Sequence, residues 1–307
     1  MESYSYHDLY AAARQALRKV DGENAEFTAR QLVSAATDRT VSQLVADFNL
    51  TVFQRDIIRV NRMVERHLKG EPIAYILGQW EFYGLNLTVT PDVLIPRDDT
   101  EAVCDLAIHQ TMLSGQNPRV LDLCAGSGCI GLAVAARIKD ARVTLGEISP
   151  EAIRIAKKNV QDNHLSGRVS CIQLDVRLPA PKFLGKYDMI VSNPPYITAR
   201  QMEELDTSVR DYEPHLALYG GNDGLDYYRA IVKNYTPVLR EGGFICFEFG
   251  MGQEASVCQI LMDHGYRLGS LVRDSGERAR AVMAQKPVSE DTTGKECAED
   301  GEETSGI

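Results

Sequence analysis

The chain has 307 residues, of which 44% are hydrophobic and 25% charged, with a formal net charge of −10. This length suffices for two domains or for one large domain with appendages, and the composition is that of a water-soluble globular protein. No run reaches the roughly 18 apolar residues of a membrane span, and Met1 to Asp8 lack the basic and apolar regions of a signal peptide, so the cytoplasm is the expected compartment and no membrane partner is expected.

Residues 1–75 read as a small helical bundle. Leu9, Ala13, Ala16, Leu17 and Val20 share one face of the first predicted helix. Phe53, Ile57, Val60, Val64 and Leu68 share one face of the last, with Gly70 as its stop and His67 on its solvated side. Ala25 to Ala36 and Val41 to Phe48 lie between them. Residues 76–98 read as a β-hairpin linker in which Leu85, Leu87 and Val89 alternate with polar residues and Trp80 serves packing. Val93-Leu94-Ile95 is a predicted strand ending in a polar turn, and Asp99 or Thr100 is the predicted cap of a helix running to about Met112. Whether Arg97 and Glu101 belong to a site or to the scaffold stays open.

Residues 99–286 form the predicted main domain. From Arg119 the pattern is β-α-β-α, with strands at Arg119–Leu123, Arg142–Glu147, Val169–Leu174, Tyr187–Ser192 and Gly243–Phe249. Helices are predicted at about Ile130–Ile138, Pro150–Asn163, Leu225–Leu239 and Gln253–His264. This alternation predicts a Rossmann-like, mostly parallel sheet covered on both faces. Arg267–Val272 and Ala279–Ala284 are close enough to pair antiparallel at its edge.

Between the first parallel strand and its helix lies Cys124-Ala125-Gly126-Ser127-Gly128-Cys129-Ile130-Gly131. Gly126 and Gly128 allow a sharp turn and close approach to a ligand. Glu147 ends the next strand, where a carboxylate can accept hydrogen bonds from ribose hydroxyls. This indicates an adenosine-containing cofactor, and the loop alone suits NAD as well as S-adenosylmethionine (AdoMet). Asp122, four residues before Gly126, can reach over the loop toward a cationic group, and AdoMet carries an ammonium and a sulfonium where NAD carries phosphates. Asp175, at the end of the third strand, is either a strand-end cap or a partner of the adenine amino group.

Asn193-Pro194-Pro195-Tyr196 follows the strand Tyr187–Ser192, at the end where open α/β sheets bind ligands. Two prolines fix their own φ, hold the residue before them out of helix and remove two N–H donors. Carbonyls of Asn193 and Pro194, with the Asn193 side-chain oxygen, can then accept both hydrogens of a planar –NH2 group, while the Tyr196 ring offers a π-face. Such a loop receives an amide or an exocyclic amine, which suits a methyl acceptor and tilts the cofactor choice to AdoMet.

The seven cysteines are scattered, with no Cys-x-x-Cys pair and no histidine at a ligand spacing, so reduced thiols are expected rather than a metal site or disulfides. Residues 287–307 hold seven acidic residues against Lys295 alone, which is −6 of the total −10. This polar tail lacks the apolar surface to offset ordering and is expected to be disordered.

Taken in order, several motifs resemble those of the release-factor glutamine N5-methyltransferases, the HemK/PrmC family. They are Glu71-Pro72-Ile73-Ala74-Tyr75-Ile76-Leu77-Gly78, Glu81-Phe82-Tyr83-Gly84, Leu94 to Glu101, the glycine loop, Asn193 to Ile197, Tyr212-Glu213-Pro214 and Ala217 to Asp226. The resemblance implies a class I AdoMet-dependent methyltransferase domain with a seven-stranded sheet behind a helical domain that docks the substrate. That substrate would be the glutamine of the Gly-Gly-Gln loop in class 1 peptide-chain release factors. Cys124, Ala125, Gly126, Ser127, Gly128, Glu147, Asp175, Val176 and Asn193 would bind AdoMet. Asn193, Pro194, Pro195 and Tyr196 would hold the glutamine amide, with Asn193, Pro194 and Tyr196 as the catalytic set. Asp98 stands where the family usually has proline, Glu147 where it has aspartate, and Cys124-Ala125 where it has Gly-Thr.

Adenine's exocyclic amine would fit the same receptor, but the folded body carries only about −4 and no Lys/Arg run, so stable nucleic-acid binding is not expected. A ribosomal-protein glutamine is the nearer alternative substrate. An NAD oxidoreductase and a non-catalytic adaptor complete the readings, and a monomer is expected.

Overall fold

The computed structural model describes residues 4–273 and 277–288. The acidic tail beyond residue 288 lies outside the described residues.

Five helices open the chain: α1 (Tyr6–Asp21), α2 (Ala25–Ala36), α3 (Val41–Ala46), α4 (Gln54–Leu68) and α5 (Ile73–Leu77). Ser5 starts α1 with a capping box, its side chain accepting from the Asp8 N–H while the Asp8 carboxylate accepts from the Ser5 N–H. The predicted apolar stripes are real but are trimmed at the helix ends. In α1 the buried face is Tyr6, Leu9, Tyr10, Ala13 and Leu17, whereas Ala16 and Val20 are exposed. In α4, Val60 and Val64 enter the bundle core while Phe53 and Leu68 at its ends stay exposed. His67 is not a solvated residue: Nε2 lies 2.9 Å from Asp21 and Nδ1 3.0 Å from the Glu71 carbonyl, tying α4 to the end of α1.

Strands β1 (Gln79–Phe82) and β2 (Leu85–Thr88) form the expected hairpin. It is more than a linker, because Phe82 and Leu87 are buried in the same apolar cluster as the central strands. The Asn159 side chain grips Thr88 from both sides, accepting its N–H at 2.7 Å and donating to its carbonyl at 3.1 Å. Val93 and Ile95 are buried and Leu94 half-buried, but the segment is not a strand. Side chains satisfy two of its backbone groups, with Tyr75 Oη donating to the Val93 carbonyl at 2.6 Å and Glu213 accepting the Ile95 N–H at 3.3 Å, while the Val93 N–H donates to the Thr90 carbonyl.

After a short 3₁₀ turn at Asp98–Thr100 come α6 (Glu101–Met112), β3 (Arg119–Leu123), α7 (Cys129–Arg137), β4 (Arg142–Glu147), α8 (Pro150–Asp162), β5 (Val169–Gln173) and β6 (Tyr187–Ser192). Three short helices, α9 (Ala199–Glu204), α10 (Thr207–Arg210) and α11 (His215–Leu218), precede α12 (Asp226–Tyr235), β7 (Leu239–Glu248), α13 (Glu254–Asp263), β8 (Arg267–Arg273) and β9 (Ala279–Gln285). Seven strands form one sheet in the order β5-β4-β3-β6-β7-β9-β8. The pairs from β5 to β7 are parallel, and β9 runs antiparallel to both its neighbours. Helices cover both faces over two apolar clusters, one containing Val120 and Ala133, the other Leu121 and Ile231. Chain order reverses between β3 and β6, so a crevice opens beyond their carboxyl ends.

Candidate active site

The glycine loop leaves β3 and the Asn-Pro-Pro turn leaves β6, side by side in the sheet, and both face one cleft. Ser192 Oγ donates to the Leu123 carbonyl at 2.5 Å and fastens the two strand ends together. The cleft holds about 940 Å³ of unfilled space, counting the part open to solvent. Cys124, Ala125, Gly126, Ser127, Glu147, Asp175, Val176, Asn193 and Pro195 all line it. Gly128, Pro194 and Tyr196 do not.

The loop starts with Cys124 in the left-handed region at φ +58°, where its side chain is strained and a glycine would be at ease. Gly126 (φ +53°) has open space where a side chain would stand. At Gly131 a Cβ would come 2.3 Å from Leu145 Cδ2, so only glycine lets α7 press this closely on the sheet. Glu147 accepts N–H groups from Gly126 (2.9 Å), Ile148 (2.8 Å) and Ser149 (2.9 Å), which splints the loop to the end of β4.

Asp122 departs from expectation. It is buried under α7, accepts the Gly131 N–H at 2.8 Å, and does not line the cleft. Burial lifts its pKa to about 7, opposed by the Gly131 N–H, with Glu147 adding to the rise. It is therefore a buried helix-end anchor and not an arm reaching over the loop. Asp175 lines the cleft as a turn-former: its Oδ1 accepts the Arg177 N–H at 3.0 Å, and the Arg177 guanidinium pairs with both oxygens and holds its pKa below the ordinary carboxylate range.

On the other side Asn193 Nδ2 points at Thr100 Oγ1, 3.4 Å away. Pro194 is buried. The Tyr196 ring is largely covered and packs against Gly250, so close that a Cβ there would meet Cδ2 at 2.9 Å. Gln253 Nε2 donates to the Tyr196 carbonyl at 3.1 Å, and burial pushes the Tyr196 phenol well up. The Tyr196 side chain thus supports the turn from behind, and its ring is not a cleft wall.

Sequence reasoning left Arg97 open between site and scaffold and did not place several other groups at the site. Arg97 lines the cleft, ion-paired to Glu213, whose carboxylate is buried. Glu213 was visible only as the acid of Tyr212-Glu213-Pro214. Thr100 makes no cap bond for α6 and contacts Asn193 instead. Leu174, Ile148 and Tyr227 add an apolar and aromatic wall that carries no motif of its own. Glu248, buried at the end of β7, was legible as the one acid in Phe244-Ile245-Cys246-Phe247-Glu248-Phe249.

These residues fit AdoMet. The open floor above Gly126 admits a ligand against the backbone, the Leu174, Val176 and Tyr227 wall suits a purine, and Glu147, with three N–H groups accepted, keeps about one lone-pair site for a ribose hydroxyl. Carboxylates of Asp92, Glu147 and Asp175 line the cleft, and although Arg177 pairs with Asp175, Asp92 and Glu147 favour a cationic ligand over one bearing phosphates.

Comparison with known proteins agrees. The methyltransferase small domain model matches residues 106–210 and the PrmC N-terminal domain model matches residues 8–78. A methyltransferase structure from Pyrococcus furiosus superposes with a TM-score of 0.50 over 74% of this chain and 99% of its own, at 18% identity. The fold is that of the class I methyltransferases, and their cofactor is AdoMet. The bifunctional methyltransferase of Rickettsia felis is 31% identical over 91% of this chain, which spans only 58% of that longer protein. The release factor glutamine methyltransferase of Geobacter sulfurreducens is 39% identical over 246 residues, covering 80% of this chain and 84% of the relative. With both family models in the expected order and relatives of this identity aligned along most of their length, the chain belongs to the release factor glutamine methyltransferase family.

Proposed function

We propose that the protein methylates the side-chain amide nitrogen of a glutamine, that of the Gly-Gly-Gln loop in class 1 peptide-chain release factors. The observation that carries this reading is the meeting of Asn193 and Pro195 with the glycine loop and Glu147 in one cleft. Family membership supports the substrate. The helical region before residue 76 is the proposed docking domain for the release factor, and Tyr212 Oη, donating to the Lys69 carbonyl at 3.0 Å, joins it to the cleft's outer wall.

An amide nitrogen is a poor nucleophile because its lone pair is delocalised into the carbonyl. When bound, AdoMet supplies an electrophilic methyl group on a sulfonium. The chain's own contribution is orientation: Asn193 Oδ1, at the cleft, accepts one N–H of the glutamine amide, and the backbone carbonyl of Pro194, whose ring is buried behind the lining, is the proposed acceptor of the other, which fixes the direction of its nitrogen. No strong base is needed beforehand, since the proton can leave after transfer. Positioning of this kind is worth about 7–11 kcal/mol in well-aligned cases. Glu147, Asp175 and Val176, with the loop from Cys124 to Gly128, are the proposed AdoMet contacts.

The test is mass spectrometry of a purified class 1 release factor after incubation with the protein and AdoMet, beside a Gly-Gly-Ala variant. One added methyl group confined to the glutamine peptide, and absent from the variant, is the expected result. AdoMet binding without methyl gain would refute this substrate and redirect the search to another protein amide.

A further inference from the structure

Glu248 closes β7, 3% exposed, directly after the apolar run Phe244-Ile245-Cys246-Phe247. Burying a carboxylate there is costly unless it serves something. Its Oε2 has no hydrogen-bond partner among the described residues. Close to the carboxyl group are the Thr100 hydroxyl and the Asn193 side-chain amide, both of which favour its charged form. Arg280 from β9 favours it too, and Asp99 beside Thr100 opposes it. Cys104 of α6, Cys129 of α7, Tyr196 and Tyr228 are the other titratable groups that feel its charge.

Three groups therefore stand in sequence beneath the Asn-Pro-Pro turn. Asn193 Nδ2 faces Thr100 Oγ1 at 3.4 Å, and the Thr100 hydroxyl is within reach of Glu248. A hydroxyl has one proton to give. Given to the carboxylate, it leaves the Thr100 oxygen as an acceptor, which selects the NH2 end of Asn193. The flipped amide would set its own oxygen against a carboxylate.

We infer that Glu248 is a positioning residue for the reaction proposed above: through Thr100 it fixes which end of the Asn193 amide faces the cleft, so that Oδ1 is presented to the acceptor glutamine. The role rests on that reading of the site, but the orientation itself exists in the free protein. Burial lifts the Glu248 pKa to about 7, moderated by Thr100, Arg280 and Asn193. Protonation lets Glu248 donate to Thr100, which reverses the chain and loosens the selection. Turnover then rises with pH through the neutral range.

The experiment compares wild type, Glu248→Gln and Thr100→Val. Glu248→Gln is expected to lower kcat roughly ten- to hundredfold, as supporting groups that orient a contacting residue do. AdoMet affinity by calorimetry should be unchanged, and the rise of kcat through neutral pH should vanish. At about pH 8 the free variant should melt no lower than wild type, because a buried charge has been removed. Thr100→Val should lose kcat in the same way. In the free protein, the side-chain ¹⁵N–¹H signals of Asn193 should move through neutral pH in wild type and stay still in Glu248→Gln. Wild-type kcat and pH profile in Glu248→Gln would overturn the inference, as would a joint fall of kcat, AdoMet affinity and melting temperature. Still Asn193 signals in wild type would overturn it whatever the substrate, whereas moving signals without methyl transfer to a release factor would uphold it and refute only the proposed substrate.

Discussion

Asn193 is the side chain on which the proposed chemistry depends most. Asn193→Ala leaves the two prolines to shape the turn but removes the acceptor that selects an NH2 group. By comparison with other preorganised hydrogen-bonding groups, kcat at saturating AdoMet should fall by a factor corresponding to roughly 2.7–4 kcal/mol. Near-normal turnover in steady-state assays would exclude the proposed role. Cys124 offers a test of opposite sign. Its φ of +58° disfavours a side chain and suits glycine. Left-handed geometry costs an L-residue about 1–2 kcal/mol, while glycine loses about 0.5–1 kcal/mol more entropy on folding, so Cys124→Gly should stabilise the protein by roughly 0.5–1 kcal/mol in urea unfolding. Glycine-loop spacing exposed the residue types, but not that Asp122 would turn under α7 while Glu147 spans the loop. Those outcomes depend on which way a side chain leaves its strand, and no local pattern encodes that.

Among the elements, the segment from Val93 to Arg97 shows how an irregular stretch is held in place. The apolar run Val93-Leu94-Ile95 reads as a strand, yet among the described residues no neighbouring strand pairs with it. Glu213 takes over part of the ladder's work by accepting the Ile95 N–H and pairing with Arg97 on the cleft wall. Arg97 is partly exposed, so solvent screens the pair; Glu213→Ala should cost about 2–3 kcal/mol, most of it from leaving buried donors unmatched. Chemical denaturation measures this, and a loss below a few tenths of a kcal/mol would mean that water replaces the carboxylate. By contrast, β3, β4 and β6 begin and end where the sequence places them, because buried parallel strands are short apolar runs bounded by turn residues. β7 starts earlier than predicted, at Leu239 and not Gly243, since its pairing with Tyr187 crosses two glycines that the local pattern treats as a break.

For the whole molecule, two buried acids set the pH dependence of stability. Asp122 and Glu248 both have pKa values raised to about 7. An acid with a raised folded pKa keeps a proton that the unfolded chain has already lost, so stability falls as pH climbs from the ordinary carboxylate range toward 7 and is flat above it. Asp175 and Asp223 are held below that range by Arg177 and Arg229, and their contribution is lost only in stronger acid. Thermal melts should therefore show greatest stability at mildly acidic pH, about 5, and a decline toward neutrality. A flat profile between those limits would show that the two carboxyl groups ionise without penalty.

The sequence by itself determined the layered α/β architecture, the glycine loop, the Asn-Pro-Pro turn and the family, because hydrophobic period and turn chemistry are local properties that a short window carries. Only the tertiary structure decided that the hairpin packs into the catalytic core, that Tyr196 supports the turn from behind, and that Thr100 and Tyr227 line the cleft while Glu213 and Glu248 are buried beside its lining residues. These residues come from segments far apart in the chain, and their meeting follows from strand order, the long-range pairing that no single stretch of sequence specifies.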